Sequence, residues 1–244
     1  MTKQIFKIGR ISVFYIFLSF TLAIGSNPVG NSEIGEKEGI SAPADSFTSD
    51  QIAKILTKTR LRPDEFHVAM ECAQEYGVDP LLVFSIIRQE SQGNYDAVSP
   101  RGAVGLMQIM PVTYSEIFDD LELEATQLPK ENIRAGVYYF SKLMELFKDS
   151  SPEDRIRLAL GSYNAGPARI YDAQELSAYL GENPHCWSNI RHALPLLSKR
   201  YYSLHATVWS DGKPRSGFFG EWRQTVNYVE SAMKIYGDLQ RAAG

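Results

Sequence analysis

Apolar residues recur along most of this chain at intervals of three and four, the period of one face of an α-helix. Ile52, Ile55, Leu56 and Thr59 keep that spacing directly after Thr48-Ser-Asp-Gln51, which has the form of a capping box, so a first helix is predicted from about Thr48. Pro63 opens a second, carrying Phe66, Met70, Ala73 and Tyr76, which Gly77 can close in a left-handed cap. Asp79-Pro80 reads as the N-cap and first turn of a third, which runs to Ser91. Gly93 to Gly105 is predicted as a loop, followed by a short helix from Pro111 to Phe118. Pro129 to Phe147 carries a stripe of Ile133, Val137, Phe140, Met144 and Phe147. Ser151 caps the next helix, which continues through Ile156, Ala159, Leu160 and Tyr163 until Asn164-Ala-Gly-Pro167 breaks it. Residues 171–221 lose the period and hold prolines at 184, 195 and 214, so short helices and loops are expected there. A last helix is predicted from Glu221 to Leu239, with Trp222, Val226, Val229, Met233 and Tyr236 in register. Strand-like alternation does not recur and there is no internal repeat. The pattern predicts a mainly α domain whose helices bury a shared core.

The first residues follow a different logic. Lys3, Lys7 and Arg10 form a basic start, and Ile11 to Ile24 is apolar apart from Ser and Thr. That run is about 14 residues, whereas crossing a bilayer as a helix takes about 20. With small residues at Ala23 and Gly25, residues 1–25 read as a signal peptide cleaved after Gly25. This predicts export to the periplasm or cell envelope; the alternative is an uncleaved anchor in the inner membrane. No Cys follows the run, which argues against a lipid-anchored lipoprotein. Residues 26–47 are rich in Gly, Ser, Asn, Pro and Glu and read as a flexible linker, leaving 48–244 as the ordered domain.

Charge and cysteine usage narrow the function further. Loss of residues 1–25 removes three basic and no acidic side chains, leaving 22 basic against 29 acidic, a net charge of −7. That balance argues against a nucleic-acid partner. Cys72 and Cys186 are the only cysteines, and in an oxidising compartment they can either pair or remain two buried thiols. His67, His185, His192 and His205 show no ligand spacing, so neither a metal nor another cofactor is expected.

One residue interrupts the apolar logic in a chemically informative way. Val83, Ile86, Ile87 and Glu90 share a face of the third helix, so three aliphatics lead to a carboxylate. Burial raises the pKa of such a group, and a carboxylic acid still protonated near neutral pH is what general-acid catalysis needs. The competing reading is a structural ion pair with Arg88 or Arg101. Two-carboxylate glycosidases need a partner at a set separation. The nearest candidate, Asp96, sits in the turn-forming Asn94-Tyr-Asp-Ala and reads better as a loop cap, while Asp119 and Asp120 are more distant candidates.

Four blocks occur in order over residues 78–236: Glu90-Ser91; Ser99-Pro-Arg-Gly-Ala-Val-Gly-Leu-Met-Gln-Ile-Met-Pro111; Ala159-Leu-Gly-Ser-Tyr-Asn-Ala-Gly-Pro167; and Thr225-Val-Asn-Tyr-Val229. Together they resemble the lytic murein transglycosylases of the goose-type lysozyme fold. Residues 183–198 with Tyr201-Tyr202 resemble the catalytic domain of the membrane-bound F type, more loosely, without the large domain that precedes it there. The resemblance implies a helical lysozyme-like domain with a substrate groove, acting as a monomer on peptidoglycan glycan strands, with cell-envelope proteins as further partners. It implies cleavage of the β-1,4 bond between N-acetylmuramic acid and N-acetylglucosamine. Glu90 would act first as acid and then as base, closing the sugar's C6 hydroxyl onto the anomeric carbon to leave a 1,6-anhydro end.

The same resemblance implies that Ser99, Gln108, Met110, Tyr163, Asn164, Gln224 and Tyr228 face the substrate. Each also has a structural reading: a turn hydroxyl for Ser99, a loop tie for Gln108, core packing for Met107 and Met110, a helix cap for Asn164, and ring packing for the two tyrosines. The chain departs from the family pattern at Gln224, where Glu is common, and in the long interval holding residues 171–221. A hydrolytic lysozyme acting on peptidoglycan or chitin, and a non-catalytic glycan-binding protein, remain open on the sequence.

Overall fold

Helices of this protein repeatedly open on proline, whose fixed φ suits the first turn and whose missing N–H costs nothing there. The computed structural model describes residues 47–121 and 128–244, with residues 118–120 described by backbone only. The expected leader over 1–25 and nearly all of the expected linker therefore lie outside the described residues. The helices are α1 (Ser49–Thr59), α2 (Pro63–Tyr76), α3 (Pro80–Ser91), α4 (Pro111–Leu121), α5 (Pro129–Leu146), α6 (Pro152–Ala165), α7 (Pro167–Tyr179), α8 (Trp187–Ala193), α9 (Tyr202–Val208) and α10 (Trp222–Ala243), with two 3-10 turns between α8 and α9. Among the described residues extended pairing is limited to isolated bridges in the loop after α3. No helix of the described residues is long and apolar enough to cross a membrane.

Local signals set most of the boundaries. Thr48 and Gln51 form the reciprocal capping box at α1. Gly77 ends α2 at φ 66°, and Asp79 caps α3 by accepting from the Leu81 N–H at 2.8 Å. Two expectations are corrected. The break at 164–167 is there, but the stretch over 171–221, expected as short helices and loops, opens inside a longer helix: α6 reaches Ala165, Gly166 takes φ 85°, and the 13-residue α7 starts at once on Pro167 and runs to Tyr179. A single residue in that conformation reorients the chain, and proline restarts the helix. The last helix also runs four residues beyond the predicted Leu239, to Ala243.

α3 is the buried centre, with every residue from Pro80 to Ile87 buried. Each of its large aliphatics contributes about 1.5–3 kcal/mol by leaving water. α10 packs along it, and α1 and α2 also lie against it. α5 bridges α2 and α6, while α7 carries α8 on its other side. α10 is hydrogen-bonded to α3 at three levels: Tyr228 to Glu90 at 2.6 Å, Ser231 to Gln89 at 2.7 Å, and Tyr236 to Asp79 at 2.6 Å. As numbering rises on α10 it falls on α3, so the helices are antiparallel and their register places one α10 hydroxyl on Glu90. Cys72 is buried in α2 and Cys186 lies at the N-cap of α8; both are free thiols, so the bridge left open by the sequence does not form. Burial, its largest cause, pushes the Cys72 thiol up to about 12.

Candidate active site

Glu90 stands at the last turn of α3, where the apolar stripe of Val83, Ile86 and Ile87 runs out. The residue is half-buried, but its carboxyl group is held away from water, and this desolvation pushes it up to about 7 from an ordinary 4.5. The hydroxyl of Tyr228 donates to its Oε1 at 2.6 Å and pulls the other way, favouring the anion. No cation among the described residues contributes to the shift. The ion-pair reading is therefore not realised: Arg101 pairs with Glu221 at 2.6 Å, and Arg88 reaches the carbonyl of Gln92. Near neutrality this carboxyl group is divided between its acid and its anion.

α3 leads directly from Glu90 into the loop from Gln92 to Met110. This loop folds back on itself through bridges between Val98 and Val104 and between Val104 and Ile109. Met107 is fully buried, and its backbone is gripped on both sides. The side chain of Asn132, from α5, accepts from the Met107 N–H at 2.8 Å and donates to the carbonyl of Val104 at 2.9 Å. Tyr163, from α6, donates to the carbonyl of Met107 at 2.7 Å. This close approach requires missing side chains. A Cβ on Gly105, which has φ 79°, would sit 2.5 Å from the Asn132 side chain, and one on Gly136 would sit 2.4 Å from the Met107 sulfur. Asn132 and Gly136 were not singled out from the sequence. Asn132 stands in a polar first turn beside Glu131, and nothing local marks it as the residue that pins a loop 25 positions earlier.

The remaining expected site residues fall into two groups. Ser99 and Gln108 are engaged by their own loop: Ser99 Oγ accepts from the Ala103 N–H at 3.0 Å, and the Gln108 amide nitrogen donates to the carbonyls of Ala97 and Gly105, both at 2.9 Å. Gln108 holds φ 49°, in the left-handed region that non-glycine residues seldom adopt. Asp96 is exposed, and Asn94 rather than Asp96 makes the turn by accepting from the Asp96 N–H at 3.1 Å. Met110 is half-buried at the loop's end. The side chains of Asp119 and Asp120 lie outside the described residues. Asn164 and Gln224 line a cleft of about 260 Å³ together with Thr225 and Arg101. There Asn164 Oδ1 accepts from the buried Thr225 hydroxyl at 2.9 Å. Thr225 lies three residues before Tyr228 on α10 and Asn164 follows Tyr163 on α6, so the cleft begins one helical turn from the groups around Glu90.

Tyr163 does not hydrogen-bond Glu90; its hydroxyl is taken by Met107. It nonetheless feels the carboxylate. Burial first, and then the nearby Glu90 charge, hold the Tyr163 and Tyr228 hydroxyls well above the ordinary tyrosine range, so both remain protonated donors at any working pH.

A family model described as the transglycosylase SLT domain matches residues 67–186. The membrane-bound lytic murein transglycosylase F 1 of Alkalilimnicola ehrlichii is 37% identical over 176 residues, covering 72% of this chain and 33% of that protein. The membrane-bound lytic murein transglycosylase F of Desulfosudis oleivorans is 30% identical over 201 residues, covering 81% of this chain and 41% of that protein. The chain thus spans 33% and 41% of the lengths of these two relatives. Among solved structures, the 70 kDa soluble lytic transglycosylase of Escherichia coli is similar with a TM-score of 0.54 at 20% identity, over 78% of this chain and 26% of that one. That likeness is one of fold, and it agrees with the mainly helical architecture described above.

Proposed function

We propose that this chain, whose residues 67–186 belong to the transglycosylase SLT domain family, is a lytic transglycosylase of peptidoglycan. It cleaves the β-1,4 bond between N-acetylmuramic acid and N-acetylglucosamine and leaves a 1,6-anhydro end. The observation that carries this reading is Glu90: a carboxyl group pushed up to about 7 by burial, with no cationic partner among the described residues and one tyrosine hydroxyl on Oε1.

In the proposed sequence Glu90 enters as the acid and gives its proton to the glycosidic oxygen as that bond breaks. The substrate's own N-acetyl group meets the positive charge developing at the anomeric carbon. Glu90, now an anion and held by Tyr228, takes the proton of the C6 hydroxyl as its oxygen bonds to that carbon. The proton count closes: Glu90 ends as it began, and no water is consumed. Ser99, Met110 and the free face of Gln108 line the sugar path on one side, with Asn164 and Gln224 on the other. The leader proposed over residues 1–25 would deliver the chain, as a monomer, to the periplasm or cell envelope, where the glycan lies.

The test is mass spectrometry of the muropeptides released from whole sacculi. Anhydro ends are expected. Reducing ends would replace this reading with hydrolysis, and unaltered sacculi would remove the activity. Glu90→Gln is expected to reduce turnover by at least about 10³-fold while leaving glycan binding within about twofold, since it removes the proton and keeps the shape.

A further inference from the structure

The cleft beside the proposed acid is lined mainly by neutral groups, the amides of Asn164 and Gln224, the hydroxyl of Thr225 and the rings of Phe218 and Phe219, with the charges of Arg101, Arg169 and Glu221 among them. The two cations differ in freedom. Arg169 is locked in place: it donates to the carbonyls of Gly217 and Phe218 and lies over the Phe219 ring at 5.0 Å. Among the described residues Arg101 is held by Glu221 alone, through one terminal nitrogen at 2.6 and 2.7 Å from the two oxygens. Both side chains are open to solvent, 64% and 59% exposed. An ion pair in that setting exchanges easily, because water screens it and holding two long side chains together costs entropy.

We infer that Arg101 is a specificity-determining residue: it leaves Glu221 to take a carboxylate of the bound glycan. This rests on the proposed function and adds to it a chemical preference within the glycan class. A strand of N-acetylglucosamine alone offers the cleft hydroxyls and acetamides. A murein strand adds carboxylates on every second sugar, either on the peptide stem or, once the peptide is removed, on the lactyl ether itself. A guanidinium is the side chain whose planar fork matches a carboxylate with two parallel hydrogen bonds, whereas Glu221 engages only one of its terminal nitrogens. Glu221 then serves as a placeholder that keeps Arg101 aimed across the cleft mouth until an anion of the substrate replaces it.

The experiment measures Kd in the Glu90→Gln background for three oligomers: peptide-bearing murein, murein stripped of peptide, and N-acetylglucosamine oligomers. Adding Arg101→Gln is expected to weaken carboxylate-bearing oligomers about tenfold and to leave the uncharged oligomer unchanged. Glu221→Gln is expected to act in the opposite direction, tightening the charged oligomers by removing the competitor. A loss confined to peptide-bearing strands places the carboxylate on the stem, a loss confined to stripped strands places it on the freed lactyl group, and a loss on both shows that Arg101 takes either one. An equal effect of Arg101→Gln on all three oligomers, or no effect on any, overturns the inference. Failure of the functional reading looks different: the unaltered protein leaves sacculi uncut and the Glu90→Gln protein binds none of the three.

Discussion

At the residue scale the protein turns on the competition between burial and one hydrogen bond at Glu90. Burial is the larger effect and raises the carboxyl to about 7; Tyr228 opposes it. If Glu90 must arrive protonated, kcat/KM falls along an alkaline limb centred near that value. Tyr228→Phe removes the group that stabilises the anion, so the limb is expected to move to higher pH; a pH–rate profile that does not move would assign Tyr228 to packing alone. The same shift predicts a stability effect. The folded value lies above the unfolded one, so between 4.5 and about 7 the folded state holds a proton that the unfolded state has released. Stability therefore falls as pH rises through that window and stays lower above it. Glu90→Gln removes this penalty. It should stabilise the protein by roughly 2–3 kcal/mol at pH 8 and by almost nothing at pH 4, as read by urea denaturation at the two pH values.

At the scale of elements, the loop from Gln92 to Met110 is positioned by helices distant in sequence. Asn132 satisfies a buried N–H and a carbonyl of this loop at once, so Asn132→Ala is expected to cost about 2–4 kcal/mol and to lower activity with it. Gly136→Ala separates packing from propensity. Alanine favours a helix over glycine by about 1 kcal/mol, yet its Cβ would fall 2.6 Å from the Met107 Cβ, an atom that cannot swing aside. The expected outcome is destabilisation of about 1–3 kcal/mol; a stabilised Gly136→Ala protein would show that the loop yields. The helices themselves were largely legible. Capping boxes, N-terminal prolines and left-handed glycines act over three or four residues, and α1, α2, α3, α5 and α6 begin where those signals stand. α7 is less legible: the break at Asn164-Ala-Gly-Pro167 is visible in the sequence, but Pro167 also opens the next helix, which runs to Tyr179 into a stretch with no clear helical period.

At the scale of the whole molecule, α10 ties the parts together by packing on α1, α3 and α6 at once. The three tryptophans report on different regions: Trp187 on α8, Trp209 in the segment after α9, and Trp222 at the start of α10. Thermal unfolding followed by tryptophan fluorescence and by far-UV circular dichroism is expected to give coincident transitions, as one shared core requires. An earlier fluorescence transition would show that residues 187–221 open on their own.

The sequence by itself determined the helical period, most of the helix ends, and the placement of one acid at the end of a buried stripe, because each of these depends on neighbours within a turn or two. The ordered blocks added the family resemblance and with it a list of residues. Tertiary structure alone decided what those residues touch. The register of α10 on α3 brings a hydroxyl 138 positions away onto Glu90. α5 supplies Asn132 to a loop it never adjoins in the chain, and Arg101 finds Glu221 120 positions later. Contacts of that range follow from how helices pack against one another, and no local pattern of side chains encodes them.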